Sequence, residues 1–224
     1  MIWLKNFFLS TIGQKVVMSL TGLFLILFLV VHCFVNALMF LPDEGLLYNE
    51  VAHFFGHNFF IRTIEIFLFL FLFVHIFQSL AITRQNQKAR PVGYAGASAT
   101  KTSTWYSRSM GILGSLILIF LIIHIRNFFI PSRFTDQLGF DANGFPDMYN
   151  EVKMAFQNPA YVALYVASMV VLCYHLLHGF QSAFRTLGVY HKKYTPLIEW
   201  LGIAYSLIIC GVFAAMPLFF FLKK

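Results

Sequence analysis

A chain of 224 residues that is 59% hydrophobic and only 11% charged cannot build a water-facing surface, because soluble domains carry about 25% charged residues. Its net charge of +7 comes from 16 Lys and Arg against 9 Asp and Glu. The basic residues flank apolar blocks, so this charge favours contact with anionic membrane lipid or a docked protein partner. Nothing in the pattern indicates a nucleic-acid partner.

Five apolar blocks are long enough to cross a bilayer, which takes about 20 helical residues. Their continuous apolar composition indicates helices rather than the alternating segments of a membrane barrel. We therefore predict an all-α integral membrane protein in which residues 1–224 form one transmembrane domain, a four-helix core plus a fifth helix. The predicted spans are Val16–Leu41, Phe59–Ile82, Met110–Ile130, Ala160–Phe184 and Leu197–Leu222.

Lys and Arg are distributed unequally between the two sides that five spans define. Ten lie on the side of the amino terminus and six on the other side, which also carries seven of the nine acidic residues. The positive-inside rule predicts a cytoplasmic amino terminus. The polar segment Arg84–Ser109 is then a cytoplasmic loop, which we predict to be a linker or a docking surface.

The two outer loops share the sequence Tyr-Asn-Glu-Val, at Tyr48–Val51 and Tyr149–Val152. Each copy is followed by an asparagine, Asn58 or Asn158, that precedes a histidine of the next span by 17 residues. The match is either chance or the mark of an internal repeat. As a repeat, it would relate spans 1–2 to spans 3–4 by an axis along the membrane normal.

Histidines are concentrated in the first four spans, where ionisable residues are costly and usually functional. The five that lie within predicted spans are His32, His75, His124, His175 and His178. With a rise of about 1.5 Å per residue, His32 and His124 lie roughly 14 and 9 Å below the outer face. By the same rise, His75 and His175 lie roughly 10 and 14 Å above the inner face. The depths predict an outer pair and an inner pair.

Two histidines on facing helices can hold a haem iron from opposite sides. A zinc ion would instead need its ligands at one level, and the chain has no CxxCH motif for thioether-linked haem. We therefore predict two b-type haems, with His32 and His124 on the outer iron. His75 and His175 would hold the inner iron, although His178, one turn beyond His175, could ligate in its place.

Other residues could support such haems. Arg108 and Arg126 could bind haem propionates, or could equally be cations that extend to the membrane interface. Small residues could admit a porphyrin or simply a neighbouring helix. These small residues are Gly22, Gly111, Gly114, Ser115 and Gly179.

Glu65 is the only acidic residue well inside a predicted span. It lies roughly 9 Å below the outer face, at the level of the outer pair. A carboxyl group there could exchange protons with a reacting quinone, and His53 and His57 could extend a proton path outward. The alternative is a structural ion pair with Arg62.

Several short stretches, in this order and spacing, resemble a known family. They are Ser19-Leu-Thr-Gly22 ten residues before His32, Ala52-His-Phe54, Glu65-Ile-Phe67 ten residues before His75, Gly114 ten residues before His124, and His175-Leu-Leu-His-Gly179 running to Leu187-Gly188. Over nearly its whole length, the chain resembles the cytochrome b membrane-anchor subunit (b558 family) of type B succinate:quinone oxidoreductases, which act as succinate dehydrogenases or fumarate reductases.

The resemblance implies a five-helix bundle with two haems b, axially ligated by His32, His75, His124 and His175. It implies a flavoprotein subunit with FAD and an iron–sulfur subunit docked on the cytoplasmic face, and it is compatible with a dimer of complexes. It further implies electron transfer between the iron–sulfur subunit and menaquinone in the respiratory chain of a bacterial cytoplasmic (inner) membrane, with Glu65 serving the quinone reaction. Where some relatives have Asn, this chain has His178.

Two alternatives remain. One is a cytochrome b subunit of another quinone-linked enzyme, such as a hydrogenase or formate dehydrogenase. The other is a haem-free membrane anchor or a transporter, although a transporter could show broken helices around a midplane site. The apolar spans are continuous, and Pro217 is the only proline deep inside one.

Overall fold

The computed structural model describes residues 6–8, 10–89, 105–135 and 137–223. In these residues the chain is helical apart from its connections and one isolated bridge between Phe140 and Pro146. Among these residues, five helices are long and apolar enough to cross a membrane, which confirms the all-α membrane fold. Most of the predicted docking segment, residues 90–104, lies outside the described residues. The same holds for five charged residues of the orientation count: Lys5, Arg90, Lys101, Asp136 and Lys224.

Seven main helices follow one another along the chain. The first three are α1 (Thr11–Ala37, extended by a 3₁₀ turn at Leu38–Phe40), α2 (Leu46–His57) and α3 (Phe59–Ala89). A one-turn helix, Trp105–Arg108, precedes α4 (Met110–His124), which continues through a π-helical turn (Ile125–Phe129) into the short helix Ile130–Phe134. The last three are α5 (Met148–Ala155), α6 (Pro159–Thr186) and α7 (Thr195–Leu222).

Two helices extend beyond the spans that hydropathy predicts. Helix α1 begins at Thr11 because the Ser10 hydroxyl accepts a hydrogen bond from Gly13 N at 3.0 Å and caps the helix. Helix α3 runs on from Ile82 to Ala89 through a polar segment. Apolar composition marks the part of a helix that lies in lipid, whereas the hydrogen-bonded helix can continue into water.

Helices α1, α3, α4 and α6 form a four-helix arrangement in which α1 packs on α3 and α6, and α4 packs mainly on α6. Helix α7 packs on α6 and, less extensively, on α1. Tyr205 of α7 donates a hydrogen bond to Ile26 O of α1 at 2.8 Å. A side chain at Gly202 would come within 2.8 Å of the Phe180 ring, so glycine permits the close approach of α6 and α7. The predicted core of four helices plus a fifth is therefore present.

The short helices α2 and α5 pack together at one end of the bundle, which we call the capped face. Gly45 precedes α2 with φ of 85°, and a Cβ there would overlap the ring of Tyr149, so this position requires glycine. The opposite end, with the start of α1 and the connection 187–194, is the open face. A hydrophobic cluster lies beneath the cap: Met39, Tyr48, Met148, Tyr149, Val152, Phe156, Val162, Tyr165 and Phe220.

Asn49 joins the two connections at the capped face. Its side chain is 1% exposed, and its Nδ2 donates to Asp141 Oδ2 at 3.1 Å and to Asp147 Oδ1 at 3.0 Å. Its Oδ1 accepts a hydrogen bond from Tyr149 N at 2.9 Å. Desolvation acts to raise the pKa of Asp141, but hydrogen bonds from Phe145 N, the Asn49 amide and nearby loop N–H groups outweigh it and hold this pKa below its usual range.

The two Tyr-Asn-Glu-Val copies occupy similar places in the fold. One begins near the start of α2 and the other near the start of α5. Asn58 accepts hydrogen bonds from the first turn of α3, and Asn158 does the same for α6. These shared positions support the internal repeat. The copies differ at their asparagines, since Asn49 is buried and Asn150 is exposed.

Candidate functional site

The structure brings together the members of both histidine pairs that the sequence predicts. The rings of His32 on α1 and His124 on α4 have centroids 5.8 Å apart. Those of His75 on α3 and His175 on α6 have centroids 6.4 Å apart. We call the first the capped-face pair and the second the open-face pair. Each pair joins helices that the internal repeat would relate to each other.

The ring separations fit a metal between two imidazoles. A metal–nitrogen bond of about 2.0–2.1 Å places the ring centre about 3.2 Å from the metal, so two opposed imidazoles have centroids about 6.3 Å apart. The observed values are 5.8 and 6.4 Å. The described residues contain no cluster of three or more His, Cys, Asp or Glu side chains able to hold a metal ion. The pairs therefore suit a group with its own equatorial ligands, as haem has.

His175 and His178 make different contacts. His175 is the one whose ring faces His75. The ring of His178 lies 6.3 Å from that of Tyr106, in the one-turn helix before α4. Between the two candidates for the fourth ligand, the geometry favours His175.

Thr21 supports His75 in a way that sequence reasoning missed. Its Oγ1 lies 3.2 Å from Nδ1 of His75 and 2.8 Å from Val17 O. Because the hydroxyl proton is directed to Val17 O, a lone pair on Oγ1 can accept from an Nδ1–H of His75. This tautomer leaves Nε2 of His75 free to ligate iron, and a hydrogen bond to the other ring nitrogen is the usual support for a metal-bound histidine.

Asn36 is the corresponding neighbour of His32. Its Nδ2 lies 3.3 Å from Nδ1 of His32 and 2.7 Å from His32 O. Ligation through Nε2 places the proton on Nδ1, and this proton needs an acceptor. Asn36 does not supply it, because its amide nitrogen is directed to His32 O, and an amide oxygen turned to that carbonyl would place two acceptors in contact. The sequence signal for this contact is an asparagine four residues after a histidine in an apolar span.

The other members of the two pairs, His124 and His175, have buried ring nitrogens. Nδ1 of His124 and Nδ1 of His175 are inaccessible and have no hydrogen-bond partner within the described part of the chain. Around His124 the neighbours are aromatic, with Phe120, Phe128 and Tyr165 at centroid distances of 5.6, 5.7 and 6.2 Å. Unpaired polar atoms in such surroundings are costly. Binding of a metal would order these rings.

A π-helical turn begins immediately after His124. Such turns are rare and occur often at functional sites. This one precedes Pro131, which has no backbone N–H to continue the regular ladder. Arg126, one candidate for a haem propionate, lies in the turn with an exposed side chain. The other candidate, Arg108, is partly buried at the open face, at the end of the helix that contains Tyr106.

The small residues divide into two groups. A side chain at Gly111 would come within 3.0 Å of Thr83, so this glycine serves the packing of α3 against α4. A Cβ at Gly114 or Gly179 would meet nothing within 4 Å, and at Gly22 it would lie 3.4 Å from the His75 ring. Among the described residues, Gly114 and Gly179 therefore leave space beside the histidine-bearing helices, whereas Gly22 is in ordinary contact with the His75 ring.

Glu65 is held by two guanidinium groups. Its carboxylate lies 2.9 Å from Arg62 and 2.9 Å from Arg133, which comes from the short helix after the π turn. The side chains of Glu65 and Arg133 are only 18% and 19% exposed. A side chain at Gly56 of α2 would overlap Arg133. The structural ion pair with Arg62 that the sequence allowed is therefore present, and it is part of a larger cluster beneath α2.

Comparisons with known proteins identify no relative of this chain: no family model, no curated protein and no solved structure matches it.

Proposed function

We propose that this chain is the dihaem cytochrome b anchor of a succinate:quinone oxidoreductase in a bacterial cytoplasmic membrane. It would carry electrons between an iron–sulfur partner and menaquinone. The observation that supports this proposal most strongly is the meeting of four histidines, from four membrane-length helices, in two pairs. A haem-free anchor or transporter gives no reason for such an arrangement.

The two pairs lie at different levels of the bundle. Thr21 contacts His75 of the open-face pair, and His32 of the capped-face pair is eleven residues farther along α1 (32 − 21). Eleven residues of helix correspond to about 16 Å. When bound, a haem b at each level supplies a one-electron couple. The chain's own residues would hold each iron and keep water away, and Thr21 would orient the imidazole of His75.

The open face suits docking of soluble partners. Lys15 at the start of α1, Arg185 near the end of α6, and the pair Lys192 and Lys193 are all exposed there. If the amino terminus is cytoplasmic, this basic surface faces the compartment in which a flavoprotein with FAD and its iron–sulfur partner would lie. These are the partners that the family resemblance implies.

We place the menaquinone reaction near the capped face. Glu65 is the acidic side chain inside a span there, close to the level of the capped-face pair. Its two arginine partners hold the carboxylate in a fixed position. In the proposed role, Glu65 accepts a proton released as menaquinol is oxidised, or returns one when the quinone is reduced.

Partner identification tests this function directly. The complex would be purified from its native membrane in mild detergent, with this chain as bait, and the other subunits identified by mass spectrometry and flavin fluorescence. We expect a flavoprotein and an iron–sulfur protein, together with succinate-dependent reduction of a quinone. Recovery of hydrogenase or formate dehydrogenase subunits would instead assign the cytochrome to another quinone-linked enzyme.

A further inference from the structure

Two histidines outside the proposed haem sites lie together on α2 at the capped face. His53 and His57 are four residues apart on this helix, and their ring centroids are 4.0 Å apart with an angle of 30° between the planes. His57 is exposed and His53 is half-buried. Histidines at positions i and i+4 on one helix face form a recurrent two-point ligand for zinc and similar metals.

The spacing of the rings suits chelation. Two imidazole nitrogens at about 2.1 Å from one metal, at an angle of about 90–110°, place the ring centroids about 4.5–5.2 Å apart. The observed 4.0 Å lies about 0.5 Å below the lower end of this range, a difference that a small side-chain rotation can supply. The opposed arrangement of the four haem-site histidines is different, because their centroids lie about 6 Å apart.

The hydrogen bond of His57 prepares its outer nitrogen for a metal. Its Nδ1 lies 2.8 Å from the backbone oxygen of His53. Since a carbonyl oxygen can only accept, Nδ1 must carry the proton, and Nε2 of the neutral ring keeps its lone pair. A backbone carbonyl bonded to the second ring nitrogen is a common feature of metal-bound histidines.

Charged residues of both signs lie near the pair. The His53 ring contacts Phe145 at 5.1 Å, which places the pair beside the turn that contains Asp141. Asp141 is tied to Asn49, one helical turn before His53 on α2. The lowered pKa of Asp141 keeps it ionised near neutral pH. On the other side of the pair, Arg133 lies against Gly56, next to His57, but its charge is balanced by Glu65 at 2.9 Å.

We propose that His53 and His57 form a surface site for a divalent transition metal, Cu²⁺, Ni²⁺ or Zn²⁺, with water in the remaining positions. Imidazole suits these ions, and Cu²⁺ should bind most tightly of the three. No third His, Cys, Asp or Glu side chain completes the site among the described residues. The site is thus an exchangeable two-point chelate. It does not depend on the proposed haem function.

Copper binding to the purified, untagged full-length chain tests this inference. Cu²⁺ would be added at less than one equivalent per chain, and its EPR spectrum would be examined for coupling to two imidazole nitrogens. A parallel calorimetric titration with Ni²⁺ would give the affinity. We expect one site per chain, and we expect His53→Gln or His57→Gln to weaken it at least about tenfold.

His191→Gln is the matched control, because His191 is an exposed histidine on the open face without a second histidine one turn away. It should bind metal as the wild type does. Equal affinity in wild type and the two α2 variants, or coupling to a single nitrogen, would overturn the proposal and indicate an adventitious ion only. Unchanged visible spectra in all variants would show that metal binding and haem binding are separate.

Discussion

Thr21 Oγ1 on α1 lies 3.2 Å from Nδ1 of His75 on α3, and this contact leaves Nε2 as the ring nitrogen available to a metal. The hydroxyl thus links two helices and fixes one histidine tautomer. It explains why a threonine is buried in the middle of an apolar helix.

Replacing Thr21 with Val should weaken haem binding at the open-face pair about 10–100-fold, the usual effect of removing such a partner. Haem retention during dilution, followed by the Soret band, measures this. Thr63→Val is the matched control, because the Thr63 hydroxyl also donates to its own helix, to Phe59 O at 2.9 Å. Equal haem retention in both variants would argue against the role of Thr21.

Single histidine replacements should remove the haems selectively. His124→Ala should reduce the content from about two to about one per chain and leave the open-face haem, because each pair holds its own iron. His175→Ala should do the converse, and a redox titration would show which component is lost. His178→Ala should retain both haems, since His178 faces Tyr106. Loss of both haems from every variant that still inserts would contradict the two-pair arrangement.

Asn49→Ala should destabilise the capped face by about 1–3 kcal/mol, because it leaves a buried backbone N–H of Tyr149 unsatisfied. It also removes the donor shared by Asp141 and Asp147. Thermal unfolding in detergent would measure the change. Asn150→Ala alters the equivalent residue of the other Tyr-Asn-Glu-Val copy, which is exposed, and should be close to neutral. A similar loss in both variants would indicate no special role for Asn49.

The stability that Asp141 contributes at the capped face should depend on pH. Because the folded protein lowers the pKa of Asp141, its ionised form stabilises the fold above the unfolded value of about 3.9, and this contribution is lost as pH falls through the lower folded value. The stability difference between wild type and Asp141→Asn should therefore shrink between pH 7 and pH 3. A difference that stays constant over this range would show that ionisation of Asp141 contributes nothing.

Glu65→Gln tests the proposed quinone site. We expect the variant to retain both haems and to lose most of its menaquinol-linked activity, because an amide cannot accept the proton. Glu50→Gln is the control, because it makes the same change at an exposed glutamate of α2 that has no part in the proposed site, and it should keep full activity. Full activity of Glu65→Gln would reduce this residue to a structural role.

Much of the fold and part of the candidate site could be predicted from the sequence. Hydropathy located all five spans, and counting residues along helices paired His32 with His124 and His75 with His175. Hydropathy missed α2 and α5, because helices of 12 and 8 residues are too short to be recognised as membrane spans. The sequence also showed no sign of the hydrogen bonds that Thr21 and Asn49 make to other helices and loops, or of the π turn after His124. These features depend on contacts between distant parts of the chain.

The central claim is that two histidine pairs hold two haems, and the most direct test is a pyridine haemochrome assay on the purified chain. It would be expressed with ample haem supply and quantified by amino-acid analysis. The account predicts about two haems b per chain, one for each bis-histidine pair. About one would mean that one of the pairs is structural, and a value near zero in correctly inserted protein would contradict the account.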